Sequence, residues 1–279
     1  MGQKSDILDQ VAEMRNAGQA FVLATVVRTV AATAAKAGAK AIIRADGTIV
    51  EGWIGGGCAR GAVLKAAKDA ISDGQARFVS VQPEDLLVER GVSAGTEKEG
   101  VRFARNMCPS KGTMEVFIEP VLPRPEIIIL GSSPVAVALA DTAPQFGFHV
   151  TVCAPAEDQP AFAVADTRVE GFMIETAGDR ERFVVVSSQG RGDEVALRAG
   201  LSVPADYVAF VGSKAKASAL SAKLREKGAD EARLATLKAP AGLDIGAITP
   251  DEIALSILAE IVQRRRTRQR ADATRAGAQ

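Results

Sequence analysis

The feature that most constrains the fold is the aliphatic run Ile127-Ile128-Ile129-Leu130, which leads directly into Gly131-Ser132-Ser133-Pro134. A continuous apolar run is typical of a parallel strand that is buried on both faces of a sheet. The residues after it suit a tight turn into a helix, with Ser133 as the N-cap and Pro134 in the first turn. The two segments therefore predict the first strand and helix of a doubly wound α/β domain.

Strands and helices alternate through the second half of the chain. The apolar patterns predict further strands at 148–153, 183–187 and 207–211, and helices at 134–145, 193–201, 214–227 and 250 to about 265. Such alternation favours βαβ units and a parallel sheet. We therefore expect a Rossmann-like domain over 123–265, followed by a flexible, Arg-rich tail over 266–279 that lacks an apolar face.

A proline-rich segment precedes this domain, with three prolines between Pro120 and Pro125. Proline interrupts both helices and strands, so we expect the domain boundary here. Upstream, residues 1–122 are predicted to form an α/β domain that contains a hairpin around Asp46-Gly47 and a strand over 113–118. Residues 84–107 are polar and are predicted to be irregular.

Composition excludes several classes of function. Lysine plus arginine equals aspartate plus glutamate, 34 of each, so the chain has no general attraction for nucleic acid or anionic membranes. One Trp, one Tyr and ten Phe are too few to make base stacking the main activity. Three cysteines and the absence of a long apolar segment predict a cytoplasmic protein without a membrane span.

The segment Gly55-Gly56-Gly57-Cys58 stands between a predicted strand and a predicted helix. Glycine amides at a helix N-terminus attract anions, and the same position lowers the pKa of a thiol. Cys58 is therefore a candidate reactive or ligand-holding thiol, the alternative being a tight turn around a small buried cysteine. Cys108 is a candidate partner for it, the alternative being an incidental loop thiol. Their spacing matches no zinc motif, so we expect no metal site.

Three loops of the second domain are candidate cofactor-binding segments, because loops at the carboxyl ends of parallel strands meet in one cleft. Gly131-Ser132-Ser133 has a serine where the dinucleotide fingerprint has its second glycine, and no acidic residue ends the following strand. Both departures argue against NAD(P) binding. A phosphate ligand would explain Gly212-Ser213-Lys214, although solvated lysines are an equal alternative. In the third loop, Asp244 stands between glycines and prolines, which implies a fixed loop. The alternative is a rigid connector in which Asp244 merely bonds to its own turn.

These residues together resemble the XdhC/CoxI family of molybdoenzyme accessory proteins. The longest match runs from Ala239 to Val262, and the segments 54–58, 112–120 and 207–216 are also similar to the family pattern. The loops near Lys36, Gly131 and Gln189 depart from that pattern. These departures suggest a specialised branch of the family, such as the CoxF-like accessory proteins.

The resemblance implies a maturation factor rather than a classical enzyme. Such a factor would bind, protect or sulfurate the molybdenum cofactor, as molybdopterin or its cytosine dinucleotide form. It would deliver the cofactor to an apo-hydroxylase such as xanthine dehydrogenase or carbon monoxide dehydrogenase. The resemblance also implies a homodimer. It further implies that Cys58 is the first cofactor-contacting or catalytic thiol and that Cys108 is the second. A sulfur donor is a further candidate partner. The alternatives are an NAD(P)-dependent oxidoreductase and a non-catalytic docking scaffold.

Overall fold

The structure is a computed structural model that describes residues 6–109, 111–176 and 178–277. The side chains of Cys58 and of residues 272–277 lie outside this description. The chain divides into two compact units, Met1–Pro123 and Arg124–Gln279. Within the described residues, no helix combines the length and the apolar character needed to cross a lipid bilayer.

The first unit is built on one mixed sheet. Its helices are α1 (Ile7–Asn16), α2 (Gly57–Asp73) and α3 (Glu84–Glu89), and its strands are β1 (Phe21–Val30), β2 (Lys40–Arg44), β3 (Ile49–Gly52), β4 (Arg77–Gln82), β5 (Glu97–Lys98), β6 (Val101–Arg105) and β7 (Thr113–Val121). The strand order is β3-β2-β1-β7-β4-β6-β5, and only the β4–β6 pair is parallel. α2 packs on one face through Val63, Ala66, Ala67 and Ala70, while Met14 of α1 packs with Phe21 and Ile42.

The predicted hairpin is confirmed. β2 and β3 pair antiparallel around Asp46-Gly47, where the Asp46 carboxylate accepts a 2.8 Å hydrogen bond from the Thr48 amide. Gly47 has a φ of +84°, a left-handed conformation that glycine adopts without strain. The local turn chemistry was therefore sufficient to locate this element.

The prediction that residues 84–107 are irregular is wrong, since they contain α3, β5 and β6. α3 lies in the connection between the parallel strands β4 and β6, and parallel neighbours require such a crossover. Polar side chains in this segment are used for pairing: Arg102 lies 2.6 Å from Asp69, and Arg105 lies 3.0 Å from Glu84. Tertiary pairing has thus ordered a stretch without a strong apolar pattern.

β7 also continues beyond its predicted end, through Pro120 to Val121. The pairing of β7 with β4 ends at Ile118, so the last residues of β7 have only β1 beside them. A strand tolerates proline where one of its sides has no partner.

The second unit is a Rossmann-like domain, as predicted. Its strands are β8 (Glu126–Leu130), β9 (His149–Ala154), β10 (Thr167–Glu170), β11 (Arg182–Val186) and β12 (Tyr207–Phe210), and its helices are α4 (Pro134–Thr142), α5 (Asp193–Ser202), α6 (Lys214–Glu226), α7 (Glu231–Ala235) and α8 (Pro250–Gly277). All strand pairs are parallel, in the order β10-β9-β8-β11-β12. The order in which the chain adds strands reverses between β8 and β11, and ligands of doubly wound sheets bind in the crevice at such a point.

The aliphatic run of β8 packs against a helical layer on each face of the sheet. Ile127 and Ile129 pack with the buried residues of α4 and α8, whereas Ile128 and Leu130 pack with those of α5 and α6. Alternate residues of a strand point to opposite faces, so burial on both faces requires an uninterrupted apolar sequence.

The predicted end of the last helix near Arg265 is wrong, because α8 continues to Gly277. The segment that we expected to be a flexible tail is rich in arginine, glutamine and alanine, which favour the helix even without an apolar face. Ion pairs also hold its beginning: Arg265 lies 2.9 Å from Glu181, and Arg268 pairs with Asp206.

Candidate functional site

The first unit contains a cavity of about 350 Å³ at the N-terminus of α2. Four parts of the chain form it: the loop after β1, the turn into α2, the end of β4 and the segment that leads into β7. Its lining residues are Ala32, Thr33, Ala34, Gly55, Gly56, Gly57, Ala59, Val81, Asn106, Met107, Cys108, Gly112 and Met114. None of these described lining residues carries a charged side chain, so the cavity wall is apolar except for backbone groups, one hydroxyl, one amide and sulfur atoms.

The glycine turn borders this cavity with its backbone. Gly55 and Gly57 have φ values of +99° and +56°, and Gly56 is the N-cap of α2 without a capping side chain. A Cβ atom at position 57 would meet nothing within 4 Å, so there is space for a ligand to approach the backbone at Gly57. The first amides of a helix have no intrahelical acceptor and carry its positive dipole end. The turn can therefore attract an anionic group.

The structure brings Cys108 to the same cavity as the glycine turn. Cys108 is exposed, and it lies on the loop between β6 and β7. Cys58 is the second residue of α2, directly after Gly57, but its side chain lies outside the described part of the structure. The role of its thiol therefore stays a prediction.

Asn106, which was not predicted as a site residue, holds the loop that carries Cys108. Its side-chain amide donates a 2.6 Å hydrogen bond to the carbonyl of Gly112, and its Oδ1 accepts one of 2.9 Å from the Cys108 amide. An Asn two residues before a cysteine is the signal for this turn, because Asn side chains bond to the backbone two residues later.

Gly112 fixes the other end of the loop. A Cβ atom there would overlap the carbonyl oxygen of Ala32, so the loop packs directly against the segment after β1. Two methionines also line the cavity, Met114 being buried and Met107 largely exposed. Thr33 and both methionines were not predicted as lining residues, because they come from segments that only the sheet brings together.

In the second unit, the turn Gly131-Ser132-Ser133 closes against the end of β11. Gly131 has a φ of +116°, and a Cβ atom there would lie 2.5 Å from the Ser187 carbonyl oxygen. The Gly131 amide donates to the Cys153 carbonyl at 2.9 Å, and the Ser133 amide donates to the Ser187 carbonyl at 3.2 Å. The Ser133 and Ser187 hydroxyls lie 2.6 Å apart, and both side chains are buried. These two turn amides are thus engaged within the protein.

An acidic residue does reach this turn, although it stands later in the sequence than the fingerprint requires. A 3₁₀ segment over Ala156–Phe162 carries Asp158, whose carboxylate accepts a 2.5 Å hydrogen bond from Ser132 Oγ. Arg191 pairs with Asp158 at 3.1 Å. Asp158 therefore bonds to the turn itself.

The predicted segment Gly212-Ser213-Lys214 begins α6, with Ser213 as its N-cap. In the first turn of α6, the lysine that forms an ion pair is Lys216, whose ammonium lies 2.5 Å from the buried Asp193 carboxylate. Burial raises the pKa of Asp193, but hydrogen bonds from Lys216, Ser188 and the Gly190 amide outweigh it and lower the pKa overall. Lys216 is thus balanced by a carboxylate of its own domain.

Asp244 is exposed in the loop before α8, and none of the ion pairs and hydrogen bonds given for the described residues joins it to the Gly131 turn. The same loop is anchored through Gly242, whose amide donates to Glu260 at 2.9 Å. Glu260 is buried, and it also accepts a 2.8 Å hydrogen bond from Tyr207. Burial, the largest influence, and this carboxylate both raise the pKa of Tyr207. The long segment before and within α8 therefore has a structural role.

These features define an α/β protein with a Rossmann-like domain and a separate cavity-bearing domain. Residues 127–261 match the family model of the XdhC Rossmann domain, and residues 14–82 match that of the XdhC and CoxI family. The chain belongs to the XdhC and CoxI family.

Proteins similar to this chain include two curated proteins and a solved structure. The uncharacterized protein YqeB of Escherichia coli is 29% identical over 266 residues, which are 92% of this chain and 46% of YqeB. A probable xanthine dehydrogenase component from Bacillus subtilis is 28% identical over 165 residues, 55% of this chain and 47% of that protein. The chain thus spans about half the length of the curated relatives it matches. A crystal structure of a xanthine dehydrogenase from Bacillus halodurans has 20% identity and a TM-score of 0.44, covering 94% of this chain and 96% of that one.

Proposed function

We propose that this protein is an accessory factor for a xanthine dehydrogenase-type molybdenum hydroxylase. It holds the molybdenum cofactor, as molybdopterin or its cytosine dinucleotide form, in the cavity of the first unit and passes it to the apo-enzyme. The observation that carries this proposal is that the glycine turn of α2 and the distant Cys108 line one cavity, in a member of the XdhC and CoxI family.

The properties of the cavity fit such a ligand. The amides of Gly55, Gly56 and Gly57 bind its phosphate with the help of the α2 dipole. Cys108 and Cys58 contact its sulfur-ligated metal end, since thiolates are soft donors. A volume of about 350 Å³ lies within the range of small-molecule sites.

The second unit has no part in dinucleotide binding in this proposal. The turn amides of Gly131 and Ser133 are bonded to carbonyls of the same domain, and Ser132 is bonded to Asp158. A dinucleotide would have to replace these bonds, which favours the accessory role over an NAD(P)-dependent oxidoreductase.

Xanthine dehydrogenase and carbon monoxide dehydrogenase are the two candidate clients.

Cysteine variants test this function directly. The protein would be co-expressed with a client in a host that makes the cofactor, as wild type, Cys58→Ala, Cys108→Ala and the control Cys153→Ala. Bound pterin would be measured by oxidation to its fluorescent derivative and by mass spectrometry, together with client activity. We expect the Cys58 variant to lose most of the bound pterin and client activation, the Cys108 variant to lose part, and the control to retain both.

Retention of pterin and full client activation in the Cys58→Ala and Cys108→Ala variants would contradict the proposal. A parallel titration with NAD(H) and NADP(H) tests the oxidoreductase alternative. Micromolar affinity for either nucleotide would favour that alternative.

A further inference from the structure

Trp53, the single tryptophan of the chain, is half exposed, with 52% of its surface accessible. Its Cη2 and Cζ2 atoms lie 3.8 and 4.0 Å from the position that a Cβ atom on Gly56 would occupy. Gly56 itself lines the cavity. Trp53 is not among the lining residues, but the six-membered part of its indole lies next to the glycine turn that lines the cavity.

The backbone that carries Trp53 is tightly held. The Trp53 amide donates a 2.9 Å hydrogen bond to the Lys40 carbonyl of β2. Gly52 has a φ of +85°, and a Cβ atom there would overlap the same carbonyl oxygen. The chain thus leaves β3 in one defined direction, which presents the indole without much further loss of conformational freedom.

The cavity wall favours an uncharged, planar group beside this ring. Its described lining contains no Lys, Arg, Asp or Glu, so a charged group gains little there except at the glycine amides. Aromatic rings bind other flat rings by offset stacking, and a heterocycle stacks on tryptophan with little dependence on its substituents.

We propose that Trp53 is the stacking surface for the planar nitrogen heterocycle of the ligand bound in this cavity, a role that rests on the proposed function for the class of ligand. With the phosphate at the amides of Gly55 to Gly57, the heterocycle reaches the neighbouring indole. The pterin ring and, for the dinucleotide form, the cytosine ring are the two sources of such a heterocycle.

Fluorescence of Trp53 gives a direct test, because no other tryptophan contributes to the signal. The full-length protein would be titrated with 6-hydroxymethylpterin and, separately, with cytidine monophosphate, each corrected against free tryptophan amide. Saturable quenching by the pterin supports stacking of the pterin ring, and saturable quenching by the nucleotide supports stacking of the cytosine. Lack of saturable quenching by either ligand up to about 1 mM would overturn the proposal.

Variants separate stacking from general stability. Trp53→Ala is expected to weaken binding of the quenching ligand about tenfold or more, measured by calorimetry, whereas Trp53→Phe keeps most of the affinity. Phe146→Leu, at a half-exposed aromatic residue of the second unit, is the control and should bind like the wild type. Equal affinity of wild type and Trp53→Ala would also overturn the proposal.

The experiments distinguish failure of this inference from failure of the proposed accessory function. If that function is wrong but the inference is right, the heterocycle still quenches Trp53 while no cofactor co-purifies from the host. If the function is right and the inference wrong, Trp53→Ala retains the cofactor and activates the client as the wild type does.

Discussion

The side-chain amide of Asn106 donates a 2.6 Å hydrogen bond to the carbonyl of Gly112, across the loop that carries Cys108. The Oδ1 atom of the same side chain accepts from the Cys108 amide. One residue thus fixes both the position of the cysteine and the closure of the loop at the cavity.

We expect Asn106→Ala to destabilise the first unit by about 1–2 kcal/mol, because two hydrogen bonds are lost. Urea unfolding measures this, and the amount of co-purified pterin shows whether the loop must be held for binding. Asn16→Ala, at an exposed residue ending α1, is the matched control. Unchanged stability and pterin content in Asn106→Ala would show that the loop keeps its shape without this side chain.

Gly131→Ala is expected to destabilise the second unit by about 3 kcal/mol. The substitution places a non-glycine residue at positive φ and drives its Cβ atom against the Ser187 carbonyl oxygen. Gly147→Ala also has a positive φ but meets nothing within 4 Å, so it should cost only about 1 kcal/mol. Urea unfolding of both variants compares the two costs. Equal losses would mean that the close approach of the two strand ends contributes nothing.

Cys153 should resist alkylation in the native protein. It is fully buried in β9, and burial raises the pKa of its thiol to about 12. At pH 8 we expect iodoacetamide to modify Cys153 at least about 100-fold more slowly in buffer than in urea, since reaction requires opening of the domain. Peptide mass spectrometry over time would measure both rates. Comparable rates would mean that β9 opens readily.

Asp193 should make stability depend on pH. The pKa of Asp193 in the folded protein lies below its ordinary value of 3.8. Its ionised form therefore stabilises the fold above pH 3.8, and this stabilisation is lost as the pH falls through the folded-state pKa. Asp193→Asn should cost about 1–3 kcal/mol near neutral pH, and its difference from wild type should shrink below about pH 4.

Urea unfolding at several pH values between 7 and about 2.5 measures this difference. Asp141→Asn, at an exposed residue of α4, is the control and should change stability by less than about 0.5 kcal/mol throughout. A gap between Asp193→Asn and wild type that stays constant over this range would contradict the role given to the ionised carboxylate.

Much of the fold could be predicted because its signals are local. The apolar run of β8, the Asp46-Gly47 turn, the N-cap Ser133 and the start of α6 at Lys214 all lie where the sequence pattern indicated. Each depends on residues within one element, so a single stretch of sequence contains the information.

The elements and contacts that were not predicted from the sequence share a physical cause. α3, β5 and β6 have weak local patterns, and they are ordered by pairing with β4 and by ion pairs to α2 and α3. Asp158 lies 26 residues after Ser132 in the sequence, but a 3₁₀ segment returns it to the turn. Contacts of this kind depend on how elements are arranged in space.

The amino-acid sequence alone was sufficient to predict the two-layered environment of β8, the Rossmann-like domain and the resemblance to the XdhC and CoxI family. Only the tertiary structure decided that Gly55-Gly56-Gly57, Asn106, Cys108 and Gly112 line one cavity. The reason is that periodicity reports which face of an element is buried, whereas the order of strands in the first sheet decides which distant loops become neighbours.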